Sequence, residues 1–252
     1  MMQELRFFLK DTQRKHVDFR QTEQSRGLPP PPLEKPLPVG AQCFPLPTPD
    51  TWEEVAHRAT VVEAIARRES RRSFAPEALS LAELSFLLWA TQGVRAKELP
   101  WHALRTVPSA GCRHPFETYL AVNRVEGLDP GLYRFLPLSH QLVLLEVRDD
   151  LPRSLARGSL GQSFVGAGAV TFVWTALPQR TEWRYGAAAH KVIALDAGHL
   201  CQNLYLACEA IGAGTCAIAA YDQELMDTLV GVDGEDEFVI YLAPVGKVWP
   251  EN

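Results

Sequence analysis

LDAGHLCQNLYLACEAIGAG, residues 195–214, decides the fold. It is the C-terminal part of the longest helical segment in the chain, Ala187 to Ile211, which Gly212 closes. Cys201 and Cys208 are seven residues apart and share one face of that helix, the spacing of core positions. Just upstream, Ala169 to Leu177 reads AVTFVWTAL, apolar on both alternating faces, the pattern of a strand in the interior of a sheet. Such a strand needs neighbours on either side and helices over both faces.

The neighbours are legible. Thr118 to Val125, Leu132 to Leu136 and Gln141 to Val147 alternate as strands. The turn-rich segments 127–131 and 137–140 separate them, which implies an antiparallel meander. Leu151 to Arg157 reads as a short helix, Thr215 to Ala219 as a short strand, Gln223 to Leu229 as a helix and Glu237 to Ala243 as the last strand. Towards the N-terminus, Asp50 and Glu53 suggest a capping box opening a helix through Val55, Ala59, Val62 and Ile65. Ser80 and Glu83 suggest a second, with Leu84, Leu87 and Leu88 as its apolar face and Gly93 as its stop. Residues 94–116 read as a long loop, a length that favours a functional role. Long helices beside a mostly antiparallel sheet give an α+β fold.

The 252 residues, 46% of them apolar and 22% charged, suit a globular body. A net charge of -5 argues against a mainly nucleic-acid-binding role. No apolar run is long enough to span a bilayer, and residues 1–10 lack the apolar core of a signal peptide, so no membrane partner and a cytoplasmic location are expected. Five cysteines without a CxxC pair read as free thiols in a reducing compartment, with no structural zinc. His190 and His199 lie nine apart, half a turn around the helix, so no metal site is expected there. Residues 1–50 stand apart: nine prolines fall between Pro29 and Pro49. They read as an extended arm, a belt around a body at 51–252, with Leu5, Phe7, Phe8 and Leu9 as a short helical element before it. Asp196-Ala197-Gly198-His199 reads as close helix packing at Gly198.

The chemistry centres on Arg67-Arg68-Glu69-Ser70-Arg71-Arg72-Ser73-Phe74. In an extended chain Arg68, Ser70 and Arg72 point one way, and two guanidiniums with a hydroxyl suit a phosphate. A solvated basic turn explains the same residues. Pro108-Ser109-Ala110-Gly111 permits close approach to a planar ligand, or is an ordinary turn. Gly212-Ala213-Gly214-Thr215-Cys216, between a helix end and a strand, could form a floor beneath a flat ring, or serve as a helix cap and a tight connection. Lys247 could reach a phosphate or sit on the surface. Arg184 and Tyr185, with Gly186, offer a fixed cation and a proton donor, or an anchor for the helix entrance. GxSxG, GxGxxG, Walker A and HExxH motifs are all missing, which removes the common hydrolase, dinucleotide-binding and P-loop readings.

Taken in order, these segments resemble the FMN-dependent nitroreductase superfamily, and within it the SagB/ThcOx-type dehydrogenases. The resemblance spans roughly residues 53–250, through the Arg68 cluster, LSFLLWATQG at 84–93, PSAG at 108–111, WRYG at 183–186, the opening stretch and PVGK at 244–247. It implies a nitroreductase-like sheet flanked by helices, an intertwined homodimer and FMN at the interface. It implies that Arg68, Ser70 and Arg72 hold the FMN phosphate and ribityl chain, with Lys247 as a second phosphate contact. Pro108, Ser109, Ala110 and Gly111 would reach the ring from the partner subunit. Tyr185 and Gly186 would lie at the reactive edge and Thr215, Cys216 and Ala217 on the other side. Tyr185 and Arg184 would be the catalytic pair. The implied activity is hydride transfer through flavin N5, ping-pong, with NAD(P)H or an organic donor. Oxidation of a peptide heterocycle of the azoline kind and a non-catalytic flavin-binding scaffold are the alternatives. Cys112 stands where nitroreductases commonly have asparagine, and Arg184 where azoline oxidases have lysine.

Overall fold

The computed structural model describes residues 6–99 and 102–249. A seven-stranded sheet forms the centre, in the order β1 (Cys43–Pro45), β6 (Gln141–Val147), β5 (Gly131–Leu136), β4 (Phe116–Val122), β7 (Val170–Ala176), β9 (Phe238–Lys247) and β8 (Ala213–Thr215). Every strand pair in it is antiparallel. All seven residues of β7 are buried, as its two apolar faces require. Phe172 and Trp174 face one side, and Val173 faces the other.

On the first side lie α2 (Leu81–Gln92) and α5 (Ala189–Ala210), which bury Leu84, Leu88, Leu200, Leu204 and Cys208 against Phe172 and Trp174. On the second lie α3 (Leu151–Gly158) and α6 (Gln223–Val230), with Leu155 and Met226 against Tyr119, Val173 and Leu242. The expected capping box at Ser80 is present: Ser80 accepts from the Glu83 N–H at 3.2 Å, and Glu83 accepts from the Ser80 N–H at 2.9 Å.

Three local expectations are corrected. Asp50 and Glu53 open no α-helix, only a 3-10 turn at Pro49–Thr51. Residues 49–56 form turns that bury Trp52 beside Phe86 and Trp89, and α1 (Val61–Arg67) begins later at the Thr60–Glu63 capping box. Tertiary packing of one indole outweighs the local cap signal. The long loop after Gly93 contains a hairpin, β2 (Val94–Leu99) with β3 (His102–Arg105), whose two register shifts blur the alternation in sequence. Gly198 is not a packing glycine: a Cβ there would meet nothing within 4 Å. The structured residue of that motif is Asp196, described below. Leu5 lies outside the described residues. Phe7 and Phe8 are partly exposed and Leu9 largely so, at a helical turn closed by the Leu9 N–H on the Arg6 carbonyl at 3.2 Å.

The proline-rich segment is fastened by polar groups. Arg105 donates to the Leu33 carbonyl at 3.0 Å and Arg134 to the Pro36 carbonyl at 2.7 Å, while the Lys35 N–H donates to Glu117 at 3.0 Å. Lys35 also pairs with Glu237, and Glu117 with Arg180. Proline-rich chain lacks its own backbone donors, so the body supplies the donors to its carbonyls.

Candidate active site

The predicted residues gather in two groups, at different places along α5. In the first, the chain after α1 runs along β8: Ser70 bridges Thr215, and the Arg71 N–H donates to the Thr215 carbonyl at 2.9 Å. The four arginines sort by their partners. Arg67 pairs with Glu63 at 3.2 Å, and Arg71 with Glu69 at 2.9 Å. Arg71 also lies across Gly214, where a Cβ would come within 2.4 Å of its side chain. That close approach is the use of the small residue. Arg68 and Arg72 have no carboxylate partner among the described residues. Arg68 stacks over the Tyr205 ring at 5.2 Å, and Arg72 over Phe164 at 5.8 Å.

Thr215 and Cys216 are buried, and Ala217 is held by its N–H donating to the Tyr205 hydroxyl at 2.9 Å. The same hydroxyl pairs with Ser70 Oγ at 2.9 Å. A cavity of about 340 Å³ opens beside Ser70 and Arg72, closed on one side by Trp249. Lys247 is the last residue of β9, not a residue beyond it. Its ammonium pairs with Glu83 and donates to the Ile211 carbonyl at 3.1 Å.

The second group surrounds the start of α5. Ser109 Oγ donates to Asp196 at 2.6 Å and the Ala110 N–H to the same oxygen at 3.0 Å. Burial raises the Asp196 carboxyl above its ordinary range, against these two hydrogen bonds. Pro108 is exposed beside them. Gly111 has φ of 58°, and a Cβ there would lie 2.5 Å from Arg184 and 2.8 Å from the Tyr185 hydroxyl, so only glycine fits. Arg184 and Tyr185 end α4 (Gln179–Tyr185), and Gly186 turns the chain into α5 with φ of 52°. The Arg184 guanidinium lies over the Tyr185 ring at 5.6 Å. Cys112 and His114 adjoin them, with Sγ and Nε2 3.5 Å apart. Burial, then Arg105, Arg113 and His102, push the His114 imidazole down to about 2.

Asp196 and Tyr205 mark the two groups on α5. Nine residues at 100° each place them on opposite faces, about 14 Å apart along the axis. Sequence reasoning missed both residues. Tyr205 sits in an apolar helical stripe and looks like core, and Asp196 precedes a glycine that drew attention instead.

The fold defines a class: an α+β protein with an antiparallel sheet between two layers of helices, and with small residues, arginines and a tyrosine gathered along α5. Residues 65–247 match the nitroreductase family model, and the chain belongs to that family. A protein of Methanocaldococcus jannaschii assigned to the nitroreductases is 31% identical over 186 residues, covering 73% of this chain and 89% of its own length. The trifolitoxin-processing protein TfxB of Rhizobium leguminosarum bv. trifolii is 26% identical over 63% of this chain and 44% of its own. Among solved structures, a nitroreductase-like protein of Ralstonia eutropha JMP134 superposes with a TM-score of 0.68 at 27% identity, over 89% of this chain and all of that one. A chain of the Escherichia coli microcin synthetase McbBCD complex shares the fold, with a TM-score of 0.60 at 18% identity, over 86% and 85% of the two chains. No helix among the described residues is long and apolar enough to cross a membrane.

Proposed function

We propose that the chain is an FMN-dependent oxidoreductase acting as a homodimer, with each flavin site made by two subunits. One observation carries the reading: of four adjacent arginines, the two with carboxylate partners are Arg67 and Arg71, and the two without are Arg68 and Arg72. The Arg72 guanidinium and the Ser70 hydroxyl, beside a cavity of about 340 Å³ that Glu69 also lines, with Arg68 next to them over the Tyr205 ring, fit a phosphate monoester. Arg68, Ser70 and Arg72 would hold the phosphate and the adjoining chain of FMN. Lys247, which the resemblance assigns to the phosphate, is ion-paired with Glu83 and donates to the Ile211 carbonyl, so it would reach a phosphate only by leaving those partners. Thr215, Cys216 and Ala217 would give the ring a flat floor fixed through Tyr205.

The second group, on the opposite face of α5, would serve the partner's flavin. Ser109, Ala110 and Gly111 would approach that ring, oriented by Asp196. The exposed side chains of Val61 (72%), Val62 (77%) and Ile65 (61%) on α1 supply apolar surface for a second copy to cover. We read residues 1–50 as an arm on the FMN-binding body at 51–252.

Bound FMN supplies hydride acceptance and return at N5. The chain supplies position. Tyr185 can donate or accept a proton through its hydroxyl, whereas Arg184 donates hydrogen bonds only and keeps its proton, so its charge stays fixed. Arginine in that place favours NAD(P)H or another hydride donor over a substrate needing a lysine base. Oxidation of a peptide heterocycle is the second reading, supported by the likeness to TfxB, a toxin-processing protein. Rapid mixing separates the two. On the first reading NAD(P)H bleaches the flavin absorbance and an electron acceptor restores it. On the second only the organic substrate bleaches it. A flavin that responds to neither marks a non-catalytic scaffold.

A further inference from the structure

We propose that residues 14–25 form one wall of the substrate cavity over Tyr185, and that Arg184 there takes the carboxylate of a small planar acid. This rests on reading Arg184 and Tyr185 as the substrate edge of the site. A cavity of about 330 Å³ lies between the arm and the end of α4, lined by Arg14, Phe19, Thr22, Gln24, Arg184 and Tyr185 among others. That volume is within the range of small-ligand sites.

The wall is fixed to the body, not merely laid upon it. The Gln24 N–H donates to the Trp183 carbonyl at 2.9 Å, and the Trp183 indole N–H donates to the Leu28 carbonyl at 3.0 Å. Val17 lies 3.6 Å from where a Cβ on Gly186 would sit. Farther along, the buried donors Arg105 and Arg134 hold Leu33 and Pro36. The segment is therefore held at Val17 against Gly186 and, from Gln24 onward, by hydrogen bonds at Gln24, Leu28, Leu33 and Pro36.

The charge inside is positive. Arg14 is balanced by Asp11 at 2.9 Å. Arg184 meets no carboxylate among the described residues. It donates to the neutral Gln24 side-chain carbonyl at 3.3 Å, which orients the guanidinium without neutralising it. Among the described residues, no acidic side chain lines the cavity. Phe19 and Tyr185 add aromatic surface suited to a planar ring. The Arg184 guanidinium over the Tyr185 ring, in a cavity that Phe19 also lines, selects a planar carboxylate over its neutral amide.

Calorimetric titration of the full-length protein with benzoate and with benzamide tests this without relying on turnover. Benzoate is expected to bind at least tenfold more tightly. Arg184→Gln should abolish that preference, and Phe19→Ala should weaken both probes severalfold. Circular dichroism of each variant confirms that it is folded. Equal affinities, no binding of either probe, a preference that survives Arg184→Gln, or a Phe19→Ala variant that binds both unchanged would each overturn the proposal. Repeating the titrations with and without added FMN separates the two claims. Failure to bind FMN removes the flavin reading, while the benzoate preference still decides the role of Arg184.

Discussion

Ser70 Oγ lies 2.9 Å from the Tyr205 hydroxyl, which also accepts the Ala217 N–H at 2.9 Å. One phenol thus fixes both the arginine segment and the stretch after β8. Tyr205→Phe keeps the ring beneath Arg68 and removes both hydrogen bonds. It is expected to cost about 1–3 kcal/mol, the penalty for stranding polar groups, read from the denaturant midpoint. It should also speed flavin release, because the floor and the phosphate arm lose their common support.

The sorting of the arginines predicts a phosphate-specific effect. Arg72→Gln should weaken FMN binding about tenfold or more, since a charge-assisted hydrogen bond contributes about 1.5–3 kcal/mol. It should leave riboflavin binding unchanged, because riboflavin lacks the phosphate. Arg67→Gln, which breaks only the exposed pair with Glu63, should change neither. Fluorescence titrations of the three proteins with the two flavins measure this.

Arg180 and Glu117 form a buried pair beneath the proline-rich segment. Arg180→Met removes the charged partner of the buried Glu117 carboxylate, leaving it the Lys35 N–H, and should cost about 3–5 kcal/mol. The double variant Arg180→Met/Glu117→Leu should recover part of that loss, since a buried pair replaced by apolar groups is often neutral. Chemical denaturation of the single and double variants gives the comparison. Equal instability of the two would contradict the desolvation argument.

His114 predicts the pH response. Its folded value is depressed, to about 2, chiefly by burial and then by Arg105. The unfolded chain therefore binds a proton that the folded chain refuses. Stability is fully present above the unfolded value of about 6.5 and is lost as pH falls from there towards 2. The slope contributed by this residue approaches about 1.4 kcal/mol per pH unit. His114→Gln should flatten the stability profile between pH 6 and pH 4, measured as denaturant midpoints.

The α+β class, the meander of β4, β5 and β6 and the interior place of β7 were legible because β7 is apolar on both faces, turn-rich segments separate the meander strands and α5 carries a long core stripe. Ser80 and Glu83 announced α2 correctly, since the capping box is local chemistry. The hairpin after Gly93 was not legible, because register shifts interrupt its alternation. The true start of α1 was hidden because Trp52 draws the preceding residues into turns. At the candidate site, Arg68, Ser70 and Arg72 stood out by charge density in an acidic chain. Tyr205 and Asp196 did not, because each works through contacts far away in sequence, and nothing in the local pattern separates such residues from core or surface. The placement of the two groups on opposite faces of α5 was likewise invisible until the helix could be followed from Asp196 to Tyr205.

The central claim, an FMN site of two halves from two subunits, is tested most directly by titrating flavin-free protein with FMN while its mass is followed by light scattering. The account predicts saturable binding of one FMN per chain by a species of twice the chain mass. No saturable binding, or full-strength binding by a stable monomer, would contradict it.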